Sequence, residues 1–255
     1  MIKQERMQVI NQRKIAHHIF ELTVQGELTA EMASPGQFVH VRVADSFEPL
    51  LRRPISVAAI HPELKQFTMI YRAEGRGTTL LAEKKAGDGL DVLGPLGKGF
   101  PVEEAEKKAY LIGGGIGVPP LYELAKQLNE KGIETVHILG FESKQAVFYE
   151  EKFKELGDTH IATVDGSHGT QGFVTHILNE LPKDFDTYYS CGPTPMLEAV
   201  QWAYPEKKGF LSYEQRMGCG IGACFACVCR TTKSETDYIK VCSDGPVFPA
   251  GVVIA

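Results

Sequence analysis

Six cysteines occur in the 255 residues, and five of them, Cys219, Cys224, Cys227, Cys229 and Cys242, fall within 24 positions. Thiolates are soft ligands that suit zinc and iron-sulfur clusters. Crowding of this kind in a long chain points to a metal site more than to a disulfide framework. The opening segment MIKQERMQVI has no charged-then-apolar leader, so the expected setting is a reducing, cytoplasmic one in which thiols stay free. The cysteine order is C-x4-C-x2-C, then 14 residues, then C. Around it, Gly218, Gly220, Gly222 and Ala223 are small enough for the backbone to turn tightly and bring its amides close to sulfur.

The spacing resembles that of plant-type [2Fe-2S] ferredoxins, in which C-x4-C-x2-C is followed by a distant fourth cysteine. On that resemblance Cys219, Cys224, Cys227 and Cys242 are the expected ligands, and Cys229 is a spare, buried thiol. A four-cysteine zinc site stays open as the alternative, although such sites usually show two close pairs and here Cys242 stands alone. The final gap is shorter than in typical plant ferredoxins, so the tail reads as a reduced loop-and-strand module. Such a cluster makes the chain an electron carrier.

Other residues could hold a nucleotide. Gly113-Gly114-Gly115-Ile116-Gly117 follows an apolar strand, residues 109–112, and precedes a helix starting near Pro119 or Pro120. A glycine loop running into a helix amino terminus is a setting for pyrophosphate, although Val118 departs from strict G-x-G-x-x-G. Tight strand-to-helix packing is the plainer reading. Cys191-Gly192-Pro193 ends a second strand, where ligands of open parallel sheets bind. In the amino-terminal part, Arg53-Pro54-Ile55-Ser56, preceded by Arg52, sets cations and a hydroxyl around a rigid proline, and arginine suits phosphate through its planar fork. Ile70-Tyr71-Arg72 and Gly77-Thr78 add an aromatic ring, another cation and loop amides. Surface charge and a hairpin turn are the plainer reading of these.

These residues need elements to carry them. Residues 7–93 contain short runs rich in β-branched and aromatic residues, such as HHIFELTV and GQFVHVRV, punctuated by Ser34-Pro35-Gly36, His61-Pro62 and Gly75-Arg76-Gly77. The pattern predicts a small antiparallel barrel or sandwich. The segment DVLGPLGKGFPVEE is expected to be a boundary without strand structure. From AYLIGGGIG onward, apolar strands alternate with helical patterns, which predicts a parallel, doubly wound sheet. The expected organisation is thus a β barrel over 1–100, an α/β domain over 101–209 and a cysteine module over 210–255. That last piece is too short for its own core, and a metal centre would add stability.

In this order the motifs resemble the ferredoxin-NADP reductase family over the region before the tail. The resemblance implies a ferredoxin-reductase-like two-domain core and FAD on the barrel, held by Arg53, Pro54, Ile55, Ser56, Ile70, Tyr71, Arg72, Gly77 and Thr78. Arg53 would meet phosphate and Ser56 the reactive edge of the ring. Ile55 stands where the family usually has an aromatic residue. Gly113, Gly114, Gly115, Gly117, Cys191, Gly192 and Pro193 would receive NAD, with Cys191 near the nicotinamide. The tail LSYEQRMGCGIGACFACVCR with VCSDGPVF narrows the resemblance to the electron-transfer subunits of bacterial class B dihydroorotate dehydrogenases. That implies a [2Fe-2S] cluster on the four cysteines and a catalytic partner subunit carrying FMN and the pyrimidine site, two of each chain forming a heterotetramer. Dihydroorotate oxidation itself would then need no catalytic residue on this chain. A flavin is needed between NAD and cluster because hydride carries two electrons and the cluster passes one.

Formal net charge is -5, so there is no cationic excess to neutralise a phosphate backbone, and no run approaches the roughly 18 apolar residues of a membrane span. Neither nucleic acid nor membrane is an expected partner. Two other functions stay open: the reductase subunit of another flavin/iron-sulfur enzyme, of sulfite reductase, hydrogenase or bifurcating transhydrogenase type, and a non-catalytic module with structural zinc and a regulatory nucleotide.

Overall fold

The computed structural model describes residues 1–46, 48–234 and 236–254. Its first unit is a closed six-stranded antiparallel barrel. The strands are β1 (Lys3–Ala16), β2 (Ile19–Gln25), β3 (Phe38–Arg42), β4 (Arg53–His61), β5 (Gln66–Arg72) and β6 (Gly89–Leu96), in the spatial order β1-β2-β5-β4-β3-β6. Alternation turns Met7, Val9, Leu22, Val24, Val39, Val41, Phe67 and Met69 inward, and these fill the barrel. Helix α1 (Arg76–Leu81) follows β5, so the expected turn at Gly75-Arg76-Gly77 opens a short helix.

One expectation fails here. The segment DVLGPL is not a strandless boundary but most of β6, the strand that closes the barrel against both β1 and β3. The register explains how a Gly-Pro pair is tolerated. Phe38 pairs with Leu96 and His40 with Leu93, so Val39 alone opposes Gly94 and Pro95. At such a bulge the proline owes no ladder hydrogen bond. Gly94 is required because a Cβ there would come within 2.8 Å of Val39 Cγ1.

The second unit is a seven-stranded sheet. Its strands are β7 (Lys108–Gly114), β8 (Glu134–Phe141), β9 (Asp158–Thr163), β10 (Thr170–Gln171), β11 (Thr187–Cys191), β12 (Lys208–Ser212) and the later β15 (Val247–Pro249), in the order β10-β9-β8-β7-β11-β12-β15. All pairings are parallel except the last. The strand order runs outward in one direction from β7 and in the other from β11, so the switch point lies between these two neighbours. Helices α2 (Pro119–Glu130), α3 (Glu150–Lys154), α4 (Val174–Glu180) and α5 (Thr194–Ala203) cover the sheet. In α2, Leu121, Leu124, Ala125 and Leu128 form the buried stripe expected of helical spacing, and the two leading prolines sit where no intrahelical donor is needed.

Barrel and sheet share a core in which Ile19, Ala58 and Ile70 pack with Leu121 and Leu124. Two carboxylates fasten this contact. Glu123 of α2 accepts the Ile60 amide of β4 at 3.0 Å, and Glu21 of β2 accepts the Tyr149 hydroxyl at 2.5 Å and pairs with Arg13 at 2.7 Å.

The tail adds a small sheet of β13 (Val228–Thr231), β14 (Tyr238–Lys240) and β16 (Val253–Ile254), ordered β14-β13-β16. Strand β12 runs across position 209/210, and β15 returns from the tail to pair with it. Cys227, Cys229, Val241 and Cys242 therefore belong to the same apolar cluster as Tyr188, Leu211 and Phe248. Among the described residues, no helix is long and apolar enough to cross a membrane.

Candidate functional site

The cysteine loop, residues 218–227, is shaped by its glycines. Gly220 has φ +73° and Gly222 φ +81°, values that strain any residue with a Cβ. The turns point amides at sulfur: Cys224 N donates to Cys219 Sγ at 3.3 Å, and Gly222 N to Cys242 Sγ at 3.2 Å. Burial opposes ionisation of Cys219, but the amides of Cys224, Ile221 and Ala223 outweigh it and bring the thiol down to about 7. Cys242 is pushed up to about 12 by burial and by its contact with Cys227.

The thiols of Cys219 and Cys224 act on each other's ionisation, as do those of Cys227 and Cys242, and Cys219 also acts on Cys242. Among the described residues, no three His, Cys, Asp or Glu side chains gather as donors to one ion. Cys227 and Cys242 are buried, whereas Cys219 and Cys224 are partly exposed beside Ile221 and Phe225, which are 49% and 59% exposed. Cys229 lies in β13, buried in the core, and burial raises its thiol.

The barrel residues converge on a cavity of about 240 Å3. Pro54, Ile55 and Ser56 reach it from β4, Ile70, Tyr71 and Arg72 from β5, and Thr78 from α1. Arg53 and Gly77 meet beside it: a Cβ on Gly77 would lie 2.6 Å from Arg53 Nε, so the guanidinium rests on the first turn of α1. Arg52 is spent elsewhere, held by both Asp91 carboxylate oxygens at 3.0 Å. Aromatic faces come from Phe38, Tyr71 and Tyr213. The volume is below the ~300–1,000 Å3 usual for a pocket that engulfs a whole ligand, and so suits one end of an extended molecule. A wider hollow of about 750 Å3 around Trp202 and Lys208 contains none of the residues singled out by sequence.

The glycine loop and the C-G-P turn lie together at the carboxyl edge of the sheet, on the switch-point strands β7 and β11. Cys191 pairs with Gly113. A Cβ on Gly117 would fall 2.3 Å from the Cys191 carbonyl oxygen, and one on Gly114 3.0 Å from Pro193 Cδ. Gly113 and Gly114 belong to β7 itself, while Gly115–Gly117 form a 3-10 turn. Gly115, at φ +54°, points toward Arg72 of the barrel. Cys191 is buried, which pushes its thiol up, and it contacts Ser212.

Sequence reasoning missed one wall entirely. Ser212, Tyr213, Glu214, Gln215 and Met217 line the 240 Å3 cavity, as does Ile116 of the glycine loop. Protein atoms around the Glu214 carboxyl raise it above its usual range, although the residue keeps an exposed surface. The segment counted in the sequence only as part of the tail's resemblance; it reaches the cavity because β12 runs parallel to β11 and delivers the chain past Cys191. Met217 lies two residues before Cys219.

A barrel joined to a switch-point sheet, with a cavity lined by both and by the segment that leads into the cysteine loop, defines a reductase of the ferredoxin-reductase type. Residues 111–202 match the oxidoreductase NAD-binding domain family, and residues 214–254 the iron-sulfur cluster binding domain of dihydroorotate dehydrogenase B. The chain is similar to the dihydroorotate dehydrogenase B (NAD(+)) electron transfer subunit of Lysinibacillus sphaericus (strain C3-41), with 61% identity over 99% of both chains. That of Bacillus cereus (strain G9842) is 58% identical over 100% of both. Among solved structures, that of an NADH-dependent reduced ferredoxin-NADP oxidoreductase involved in flavin-based electron bifurcation superposes with TM-score 0.87 at 31% identity, covering 98% of this chain and 90% of the other. An Amycolatopsis cytochrome P450 reductase shares the fold at TM-score 0.69 and 23% identity, over 80% of this chain and 66% of its own. The chain belongs to the family of dihydroorotate dehydrogenase B (NAD(+)) electron transfer subunits.

Proposed function

We propose that the 240 Å3 cavity receives the ring end of FAD, that the β7–β11 edge receives NAD, and that Cys219, Cys224, Cys227 and Cys242 hold a [2Fe-2S] cluster. The observation that carries this reading is the shared wall: the segment from Ser212 to Met217 lines the cavity and leads directly into Cys219. Bound there, the flavin would supply the exchange between two-electron hydride chemistry and single-electron chemistry, and the cluster would supply single-electron passage.

The chain's own residues bind and orient. Arg53, resting on Gly77, offers a fork to the flavin phosphates. Ser56 and Glu214 both place polar groups on the cavity lining, one from the barrel and one from the tail. Ile55 is buried and presents an aliphatic face where related proteins have a ring, which leaves aromatic contact to Phe38, Tyr71 and Tyr213. Gly113, Gly114, Gly115 and Gly117 keep the loop thin enough for a pyrophosphate to approach backbone amides, with Gly192 and Pro193 forming the facing turn. Cys191, in contact with Ser212, ties the nicotinamide edge to the cavity wall.

The partner is a catalytic subunit that carries FMN and oxidises dihydroorotate, in a heterotetramer of two of each chain in the cytoplasm. Support for a docking face comes from the partly exposed Cys219–Cys224 pair and its exposed apolar neighbours Ile221 and Phe225. The test is reconstitution. The pair should oxidise NADH in an orotate-dependent manner, and Cys224→Ser should abolish both that activity and the visible cluster absorption while Cys229→Ser leaves the absorption in place. Colourless wild-type protein loaded with zinc would overturn the cluster assignment.

A further inference from the structure

His40 is fully buried in β3, yet neither ring nitrogen has a hydrogen-bond partner among the described residues. Its ring lies against the cysteine loop. A Cβ on Gly220 would fall 2.6 Å from His40 Nδ1, so the left-handed glycine next to Cys219 is needed to accommodate the imidazole. The ring faces the Cys219 backbone without reaching good hydrogen-bond geometry. On the other side, Phe38, two residues earlier on the same strand, meets the ring edge-on at 6.4 Å and lines the flavin cavity. The His40 carbonyl is held by Arg52 at 3.3 Å, and Arg52 by Asp91.

Buried polar groups are nearly always matched, and an orphaned one marks a missing partner. We propose that His40 is a positioning residue for the iron-sulfur group: its buried imidazole presents an N–H to the Cys219 turn and stabilises the reduced cluster. The inference rests on the cluster assignment above. Reduction adds negative charge shared with the sulfurs, and hydrogen-bond donors at such sulfurs are among the factors that set cluster potentials. Removing the donor therefore lowers the potential. Nothing in the local sequence HVR signals this role; the barrel brings position 40 to position 220.

The test uses the purified full chain with flavin and cluster loaded, titrated in a mediator-buffered cell and followed by electron paramagnetic resonance of the reduced cluster. In His40→Leu the reduced fraction at the wild-type midpoint should fall about tenfold in reduced-to-oxidised ratio, which is 59 mV for one electron. His40→Gln, which keeps an N–H, should restore most of the shift. His40→Leu that holds iron at the wild-type potential would overturn the proposal. Should His40→Leu fail to hold iron, His40→Gln decides: a cluster near the wild-type potential supports the role, and loss of iron or a shift as large as tenfold defeats it. Wild-type protein without iron or visible absorption would instead sink the cluster assignment itself.

Discussion

Replacing Gly117 by Ala probes the contact on which the nicotinamide edge depends. The added Cβ would stand 2.3 Å from the Cys191 carbonyl oxygen, 2.5 Å from its carbon and 2.6 Å from Gly192 Cα, all backbone atoms that cannot rotate away. Carbon contacts are comfortable at about 3.5–4.0 Å, so the loop must withdraw from β11 by roughly 1 Å. Overpacking of this kind costs about 1–3 kcal/mol. For a chain of this size that lowers Tm by roughly 2–12 °C, at about 2–4 °C per kcal/mol. The same withdrawal misplaces the loop amides. A hydrogen bond to a charged group is worth about 1.5–3 kcal/mol, so KM for NADH should rise roughly 10- to 100-fold. The assays are thermal unfolding of the loaded protein and NADH oxidation with ferricyanide as acceptor. Gly114→Ala is the comparison: its nearest neighbour is Met196 Sδ at 2.6 Å, on a flexible side chain, with Pro193 Cδ next at 3.0 Å, so its loss of Tm should be smaller. Wild-type Tm and KM in Gly117→Ala would refute the reading of this edge as a packed nucleotide loop.

Glu123→Leu should lower Tm, because the Ile60 amide loses its buried acceptor at about 1–3 kcal/mol, whereas Glu123→Gln keeps an acceptor oxygen and should cost less. Glu21 titrates below 4.5 when folded: burial pushes its carboxyl up, but Arg13, Tyr149 and Lys152 outweigh it. The contacts of a group with a depressed folded pKa stabilise fully above its unfolded value and are lost as pH falls through the folded one. Tyr149→Phe removes one of the depressing hydrogen bonds, so acid unfolding should begin at a higher pH, followed by circular dichroism between pH 6 and 3. Arg53→Ala should lower the flavin-to-protein ratio after gel filtration with little change in Tm. Arg52→Ala should do the reverse, losing roughly 1–3 kcal/mol of stability with its half-buried Asp91 contacts.

The parts legible in the sequence are those whose physics is local. Cysteine spacing reflects the span of one short loop, and glycines at 113–117 and 220–222 mark backbone that a Cβ would strain or block. Alternation in β1 to β5 and helical spacing in α2 each follow from a single element choosing which face to bury. The parts that stayed hidden depend on where the chain goes afterwards. Pro95 reads as a breaker until the register sets it opposite a bulge. Arg52 and Arg53 are indistinguishable as letters, and only the closure of β6 against β3 brings Asp91 to the first and leaves the second over Gly77. The cavity wall at 212–217 and the imidazole at His40 go further, since each is ordinary in its own segment and acquires meaning from a contact across units. Both lie where the cysteine loop meets the barrel. The cysteine-rich tail is therefore not an appendage fastened to a finished reductase: β15 closes the sheet, Ser212 to Gln215 and Met217 line the 240 Å3 cavity, and Gly97 has no room for a Cβ because Pro246 of the tail would lie 2.5 Å away. Truncation after residue 209 should accordingly cost flavin binding as well as iron.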